Sequence, residues 1–176
     1  MRKGPIIFTV GHSTRDIEDF VEVLKAYQVE EVVDVRTIPR SRHNPQFSAE
    51  VLPESLRKAG IGYLHLKGLG GLRHPLKDSL NAGWHNLSFQ GFADYMQTEE
   101  FQKNIERLTA LSRHKRLAVM CAEALPWRCH RSLIADALSV RGIEVVHITN
   151  RSSSYNHILT PFAKVHGKHI TYPPGV

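Results

Sequence analysis

Both cysteines of the chain lie in one short segment, RLAVMCAEALPWRCHRSLIADAL, which spans residues 116–138. An apolar run ends at Cys121, and a helical pattern begins near Cys129. A thiol at a helix N-terminus, between Arg128 and His130, is expected to have a lowered pKa, because positive charge and free N–H groups stabilise the thiolate. The sequence therefore predicts that Cys129 is a reactive thiol.

Cys121 suggests a second kind of thiol chemistry. Strand, cysteine, loop, arginine, helix is the plan by which tyrosine phosphatases and rhodaneses present a nucleophile to a phosphate or sulfur substrate. Here six residues separate Cys121 from Arg128, where the phosphatase signature has five, and Pro126-Trp127 replaces the usual glycines. Without those glycines the loop amides are not all free to turn inward around an anion. The likeness to those loops is therefore architectural.

The same segment also offers metal ligands. Soft thiolates with imidazole suit zinc or iron, so Cys121, Cys129 and His130 are candidate ligands, together with Glu123 and His12. Seven residues separate the cysteines, and no second cysteine pair exists, which disfavours a structural zinc knuckle. A mononuclear catalytic zinc or iron site remains an alternative. A disulfide in a reducing compartment would be a redox state, and two merely buried cysteines are the simplest interpretation.

Five short apolar runs must position these residues. Each is rich in β-branched side chains and is bounded by turn or charged residues, a pattern typical of buried strands. The predicted strands are residues 6–10, 30–35, 61–66, 116–120 and 144–148.

Helical patterns alternate with these strands. Ser13 and Asp16 predict a capping box at the start of the first helix. The other predicted helices lie within residues 48–59, over 89–114 as one long or two abutting helices, and over 129–141. The alternation predicts an α/β fold: a single three-layer domain over residues 1–176, with a mostly parallel central sheet and helices on both faces. Residues 67–88 are predicted to form a long surface loop, and the tail from Asn150 has no clear period.

Polar residues follow the predicted strands at their carboxyl ends, where ligands bind in open parallel sheets. These candidates are His12, Ser13, Asp34, Arg36, Arg40, Arg42, Cys121, Glu123, Cys129, His130 and Arg131. Simpler interpretations stay open at this point. Asp34 and Arg36 are equally consistent with a structural ion pair, and His12 with a residue that hydrogen-bonds a turn. The basic loop from Arg36 to His43 is equally consistent with a solvated surface loop.

Charge and composition limit the class of protein. The formal net charge of +6 favours anionic partners such as phosphorylated metabolites or nucleic acid. The apolar part of the N-terminus is only Ile6 to Val10, which is shorter than a signal-peptide core, and no run is long enough for a membrane helix. Two neighbouring cysteines in a chain of this size suggest a reducing compartment. We therefore expect a soluble cytoplasmic protein with no membrane partner.

Four sequence motifs together resemble the DUF488 family of bacterial and archaeal proteins. They are TVGHST at 9–14, VDVRTIPRSRHNPQF at 33–47, HLKGLGG at 65–71 and MCAEALPWRCHRSLIADAL at 120–138. The resemblance implies a compact α/β domain and makes the polar residues named above, apart from Ser13, the signature positions of the family. It implies no particular mechanism, since the family is named for its unknown function.

The leading hypothesis is an enzyme that acts on an anionic substrate, either phosphate-bearing or nucleotide-like. Cys121 or Cys129 would be the thiolate, and His12, Glu123 or His130 would move protons. Arg36, Arg40, Arg42 and Arg131, with Asp34 and Ser13, would bind the substrate. The alternatives are a zinc- or iron-dependent enzyme that uses the same cysteines as ligands, and a nucleic-acid-binding module that uses the basic loop.

Overall fold

The five predicted strands all form, and they lie in one sheet of the computed structural model, which describes residues 4–175. These strands are β1 Ile6–Gly11, β2 Glu31–Asp34, β3 Gly62–His65, β4 Leu117–Cys121 and β5 Glu144–Asn150. A sixth strand, β6 Ser153–Asn156, pairs antiparallel with β5. The strand order is β3-β2-β4-β1-β5-β6, and β1 to β5 are parallel. The buried central strand β4 therefore ends between the ends of β1 and β2.

Five helices cover the two faces of this sheet. They are α1 Ile17–Ala26, α2 Leu52–Lys58, α3 Leu87–Tyr95, α4 Glu99–Ser112 and α5 Arg131–Ser139. Phe20 of α1 and Leu56 of α2 are fully buried in a core on one face. Phe92, Ile105 and Leu133, from α3, α4 and α5, are fully buried in a second core on the other face. The predicted α/β fold with three layers and a mostly parallel sheet is confirmed.

Local capping corrects the predicted start of α1 and decides between one and two helices over 89–114, and α5 begins at Arg131, two residues after the predicted start at Cys129. The N-cap of α1 is Asp16, whose carboxylate accepts a hydrogen bond from the amide of Asp19 at 2.7 Å. Ser13 instead occupies a left-handed turn with φ of 51°, so the predicted capping box is wrong. Helix α3 ends at Tyr95, and the Thr98 side chain caps the start of α4. The predicted helical segment over 89–114 is therefore two helices and not one.

The C-terminal tail, which had no predicted structure, adds β6 and a small hairpin. The hairpin consists of β7 Lys164–His166 and β8 His169–Thr171. Beyond the hairpin, the amide of Tyr172 donates a hydrogen bond to Asn81 Oδ1 at 2.8 Å. This bond connects the tail to the segment 67–88, which was predicted as a loop. No helix among residues 4–175 has the length and apolar character needed to cross a membrane.

Candidate active site

The end of strand β4 is the point from which the site is built. Gly11 lies beside Cys121 in the parallel register of β1 and β4. The backbone of Glu123 then passes so close over the end of β1 that a Cβ at Gly11 would collide with the Glu123 carbonyl. The amide of His12 donates to the Cys121 carbonyl at 2.9 Å and continues the pairing. Glycine in the TVGHST motif therefore lets the segment after Cys121 fold back over the sheet.

The two cysteines meet at this edge, although seven residues separate them in the chain. Their Sγ atoms are 3.0 Å apart, and the Cys129 thiol donates to the Cys121 sulfur. Cys121 is 3% exposed and Cys129 is 8% exposed. Both nevertheless line a cavity of about 330 Å³ that opens to solvent. With His130, which follows directly, these residues form what we call the dithiol site.

The two thiols differ in acidity. The hydrogen bond from Cys129, aided by the positive charge of Arg131, lowers the pKa of Cys121 to about 7. The same hydrogen bond raises the pKa of Cys129 well above its ordinary value, and burial acts in the same direction. The sequence predicted a lowered pKa for Cys129, and that prediction is wrong. Cys129 keeps its proton to stabilise a neighbouring thiolate, so Cys121 is the acidic member of the pair.

Arg131 supplies that charge from beneath the cavity. Only 1% of its surface is exposed, and it does not line the cavity. One guanidinium nitrogen donates to the carbonyl of Ala124 at 3.1 Å, while Nε and the other terminal nitrogen have no hydrogen-bond partner among the described residues. Arg131, which was predicted to bind substrate, therefore lies outside the cavity lining, and its positive charge lowers the pKa of Cys121.

His130 is held in one tautomer by the backbone. Its Nε2 atom lies 3.1 Å from the Val35 carbonyl and 2.9 Å from the Leu69 carbonyl, and two acceptors place the proton on Nε2. The unprotonated Nδ1 faces Cys129 Sγ at 3.4 Å. Burial lowers the pKa of His130 to about 4, so the ring is neutral at physiological pH. Gly71 leaves room for the ring, because a Cβ there would lie 2.5 Å from Nδ1.

The cavity walls come from four stretches of the chain: residues 36–40, 71–72, the start of α3 at 88–89, and 121–130. Thr37 ties two of these walls together, since its hydroxyl accepts a hydrogen bond from the amide of Leu72 at 3.1 Å. The lining residues are Arg36, Thr37, Ile38, Arg40, Gly71, Leu72, Ser88, Phe89, Cys121, Ala122, Glu123, Arg128, Cys129 and His130. Six of the predicted site residues are brought together here: Arg36, Arg40, Cys121, Glu123, Cys129 and His130.

The remaining predicted residues lie outside the cavity lining. His12, Ser13, Asp34 and Arg42 join Arg131 in this group. Conversely, Arg128 lines the cavity but was not among the predicted site residues, although its position next to Cys129 was a usable signal. The apolar walls at Ile38, Leu72 and Phe89 carried no chemical signal in the sequence.

Asp34 and Arg36 form a buried ion pair, the structural alternative that the sequence left open. Arg36 donates to both carboxylate oxygens, from Nε at 2.9 Å and from a terminal nitrogen at 2.7 Å. Tyr63 donates its hydroxyl to the same carboxylate at 2.6 Å. Asp34 is completely buried and does not line the cavity, and its carboxylate fixes Arg36 at the cavity wall.

His12 packs behind this ion pair. Its ring stacks on Phe47 with centroids 4.3 Å apart, and its Nδ1 lies 2.8 Å from the Ser13 carbonyl. Arg36 approaches its Nε2 at 3.4 Å. Burial lowers the pKa of His12, and only 1% of the residue is exposed. The structure therefore does not support a catalytic proton transfer by His12.

The geometry of the donors does not support the predicted metal ligands Cys121, Cys129 and His130. Among residues 4–175, no group of three or more His, Cys, Asp or Glu side chains is arranged to hold a metal ion. Two thiolates on one tetrahedral zinc would lie about 3.8 Å apart, given Zn–S bonds of about 2.3 Å. The shorter distance of 3.0 Å between these sulfurs fits a hydrogen bond.

The fold and this site define an α/β domain with a cysteine pair at the carboxyl end of its central strand. The family model described as "Domain of unknown function DUF488" matches residues 16–138, which is more than half of the chain. The chain belongs to the DUF488 family. No curated protein and no solved structure matches it.

Proposed function

We propose that the chain is an enzyme in which the Cys121 thiolate attacks an anionic substrate held by arginines. The observation that carries this proposal is an acidic thiol, with a pKa lowered to about 7 chiefly by Cys129, in the wall of a cavity that three arginines also line. The thiolate is the nucleophilic form of cysteine, so the nucleophile is available near neutral pH. Perturbed thiols in concave sites are typical of catalytic centres.

Arg40 and Arg128 are the residues that bind the anion. The guanidinium of Arg36 is already bonded to Asp34 and to the Phe47 carbonyl, so it contributes mainly positive potential. Arg40 is 76% exposed in its side chain and has only a long contact of 3.8 Å with Glu50. An exposed guanidinium without a tight partner can turn to bind a phosphate or carboxylate with two hydrogen bonds.

Side chains, and not backbone amides, carry this anion recognition. The carbonyl of Glu123 lies 3.4 Å from Cys121 Sγ, and the carbonyl of Ala124 accepts from Arg131. Carbonyls turned toward the inside of the segment leave no continuous ring of N–H groups for an anion. This supports the expectation from the sequence that the resemblance to a phosphatase loop is architectural.

Glu123 is the proton-transfer group in this proposal. It lines the cavity two residues after Cys121, and its Oε1 accepts from the amide of Leu125 at 3.3 Å. A half-buried carboxylate with a free second oxygen can accept a proton from substrate or water and return it to a leaving group.

Alkylation with matched reagents tests the proposal. Iodoacetate carries a negative charge and iodoacetamide does not, so the ratio of their rates at Cys121 reports anion binding. We expect Cys121 to be modified first, as read by peptide mass spectrometry, and inorganic phosphate to protect it. The combined variant R40A and R128A should lower the iodoacetate-to-iodoacetamide ratio about 3- to 10-fold, as expected for loss of two exposed charges.

Two variants make the test specific. Arg42 lies in the same basic loop but does not line the cavity, so R42A should keep the wild-type ratio. Cys121→Ser should abolish the fast modification. Preferential labelling of Cys129, or an equal ratio in all the arginine variants, would overturn the proposal.

A further inference from the structure

Cys129 is positioned for a step that a single nucleophilic thiol does not need. Its sulfur is 3.0 Å from Cys121 Sγ, whereas a disulfide bond is about 2.05 Å long. Closing that gap requires about 1 Å of movement. Both cysteines also line the same cavity, and their sulfurs are close enough that a group bound to Cys121 lies within reach of Cys129.

We infer that Cys121 and Cys129 are the attacking and resolving thiols of a reaction that reduces disulfides bearing anionic groups. This inference rests on the proposed function, because it uses the same thiolate and the same arginines. It adds the bond that reacts, a sulfur–sulfur bond, and it gives Cys129 a chemical role.

The reaction has two exchange steps. The Cys121 thiolate attacks one sulfur of the substrate R–S–S–R, a Cys121–S–S–R bond forms, and R–S⁻ leaves. Cys129 then loses its proton to buffer and attacks Cys121 Sγ, so that a Cys121–Cys129 disulfide forms and the second R–S⁻ leaves. The substrate disulfide is reduced by two electrons and the cysteine pair is oxidised by two. Two molecules of a small thiol restore the dithiol and leave as their own disulfide.

The surroundings of each sulfur determine this order of attack. The buried guanidinium of Arg131 has no hydrogen-bond partner for two of its nitrogens among the described residues, and its charge acts on Cys121. A positive charge there favours the thiolate that starts the reaction. Cys129 faces the unprotonated Nδ1 of His130 at 3.4 Å. Once Cys121 is part of a mixed disulfide, this acceptor can take the hydrogen bond of the Cys129 thiol, whose proton is then lost to buffer.

The cavity walls define the class of disulfide. Arg40 and Arg128 bind the anionic groups, while Ile38 and Leu72 are 61% and 68% exposed and present apolar surface on the same walls. Exposed apolar side chains that border a cavity mark a binding surface for an apolar ligand. The structure therefore favours a disulfide with carboxylate or phosphate groups on an apolar or aromatic body.

The anionic aromatic disulfide 5,5′-dithiobis(2-nitrobenzoate) tests the pair directly. The chain has only two cysteines, so the products are simple to count. We expect the wild-type protein to release two thionitrobenzoate ions per chain and to lose two hydrogens in intact mass, with no retained adduct. Cys129→Ser should release one ion and keep the other half of the reagent on Cys121. The neutral reagent 2,2′-dithiodipyridine should show no slowing in the R40A and R128A variant.

The outcomes separate this inference from the proposed function. If the wild-type chain keeps an adduct on Cys121, as Cys129→Ser does, resolution by Cys129 is wrong, while Cys121 remains the nucleophile. If the wild-type chain carries an adduct on each cysteine, the inference that Cys129 resolves the mixed disulfide on Cys121 is likewise wrong. If Cys121 does not react first, both proposals fail together.

Discussion

The dithiol site and a second buried cluster both border helix α5, but their polar atoms are paired to different degrees. We call the second cluster the histidine network; it consists of Thr9, Asp136, His147, His157 and Tyr172. The Thr9 hydroxyl lies 2.5 Å from His147 Nδ1, and His147 Nε2 lies 2.8 Å from His157 Nδ1. His157 Nε2 is 2.7 Å from Asp136, whose other oxygen accepts from Tyr172 at 2.8 Å.

A cavity alone does not distinguish the two regions. A second cavity of about 350 Å³ borders the histidine network and is lined in part by His147 and His157. All four ring nitrogens of these histidines, however, are used in hydrogen bonds within the network. Burial lowers the pKa of His147 to about 3, which keeps that ring neutral. No ring nitrogen of His147 or His157 is left over for a ligand, which favours a role of this network in stabilising the fold.

The dithiol site shows the opposite pattern. The His130 Nδ1 lone pair faces only a sulfur, Arg131 has two unpaired nitrogens, and Cys121 is acidic. Incompletely paired buried groups cost stability, and proteins keep them mainly where chemistry needs them. The comparison therefore separates two roles for buried polar residues, and variants in each region should affect different measurements.

Asp136→Ala should give the largest change in stability. It leaves the donors of His157, Thr160 and Tyr172 without an acceptor, and each unpaired buried donor costs about 1–3 kcal/mol. We expect the free energy of unfolding to fall by at least about 3 kcal/mol, as measured by denaturant titration. Under conditions where the variant is folded, the alkylation rate of Cys121 should equal that of the wild type. A loss of that rate in the folded variant would contradict the separation of roles.

Gly11→Ala should damage both measurements, because it acts on the backbone that positions Cys121. The added Cβ collides with the Glu123 carbonyl, so the segment after β4 must move. Forced overpacking costs about 1–3 kcal/mol, and the alkylation rate of Cys121 should fall as well. Gly4→Ala is the matched control, since its Cβ would lie 3.4 Å from the nearest atom, the Gly142 carbonyl oxygen. Equal behaviour of the two variants would rule out the close approach at Gly11 as the reason for glycine there.

Cys129→Ala should change acidity with little change in fold. The Cys129 thiol is the largest cause of the lowered pKa of Cys121, so its removal should raise that pKa from about 7 toward the ordinary value of 9.0. The thiolate fraction rises with pH, so the midpoint of the alkylation rate against pH should move upward. A shift of one unit reduces the thiolate fraction at neutral pH by up to about tenfold. Ser132→Ala is the control, because Ser132 bonds only the Cys129 carbonyl. An unchanged midpoint would show that Cys129 does not stabilise the thiolate.

The sequence located the site better than it assigned roles within it. Apolar runs predicted all five parallel strands, because burial on both faces leaves a strong pattern in β1, β2 and β4 and a weaker one in the half-buried edge strand β3. Of the eleven polar residues predicted at the carboxyl edge of the sheet, six line one cavity and five do not. The direction of each side chain was not predictable in this way. His130 lines the cavity and Arg131 lies beneath it, since neighbouring residues at a helix start point in directions about 100° apart.

The order of acidity was also beyond the sequence. It depends on a sulfur–sulfur contact of 3.0 Å between residues on either side of a loop, and composition and spacing do not specify such a contact. The tail was missed for a related reason. Its short strands are mostly exposed, and the burial of Tyr172 depends on partners far away in the chain, such as Asn81 and Asp136.

Tyr172→Phe should give the smallest effect and the sharpest comparison. Only the hydroxyl is removed, so the ring stays packed and one hydrogen bond to Asp136 is lost. We expect a loss of about 1 kcal/mol in the free energy of unfolding, which for a chain of this size lowers Tm by about 2–4 °C.

Tyr63→Phe removes the corresponding hydroxyl bond to Asp34, next to the cavity wall formed by Arg36. Calorimetry should show the same modest loss of stability in both variants. Alkylation of Cys121 should show a changed preference for iodoacetate over iodoacetamide in Tyr63→Phe alone. A changed preference in Tyr172→Phe would mean that the histidine network also acts on the thiolate, and the two regions would then form one functional unit.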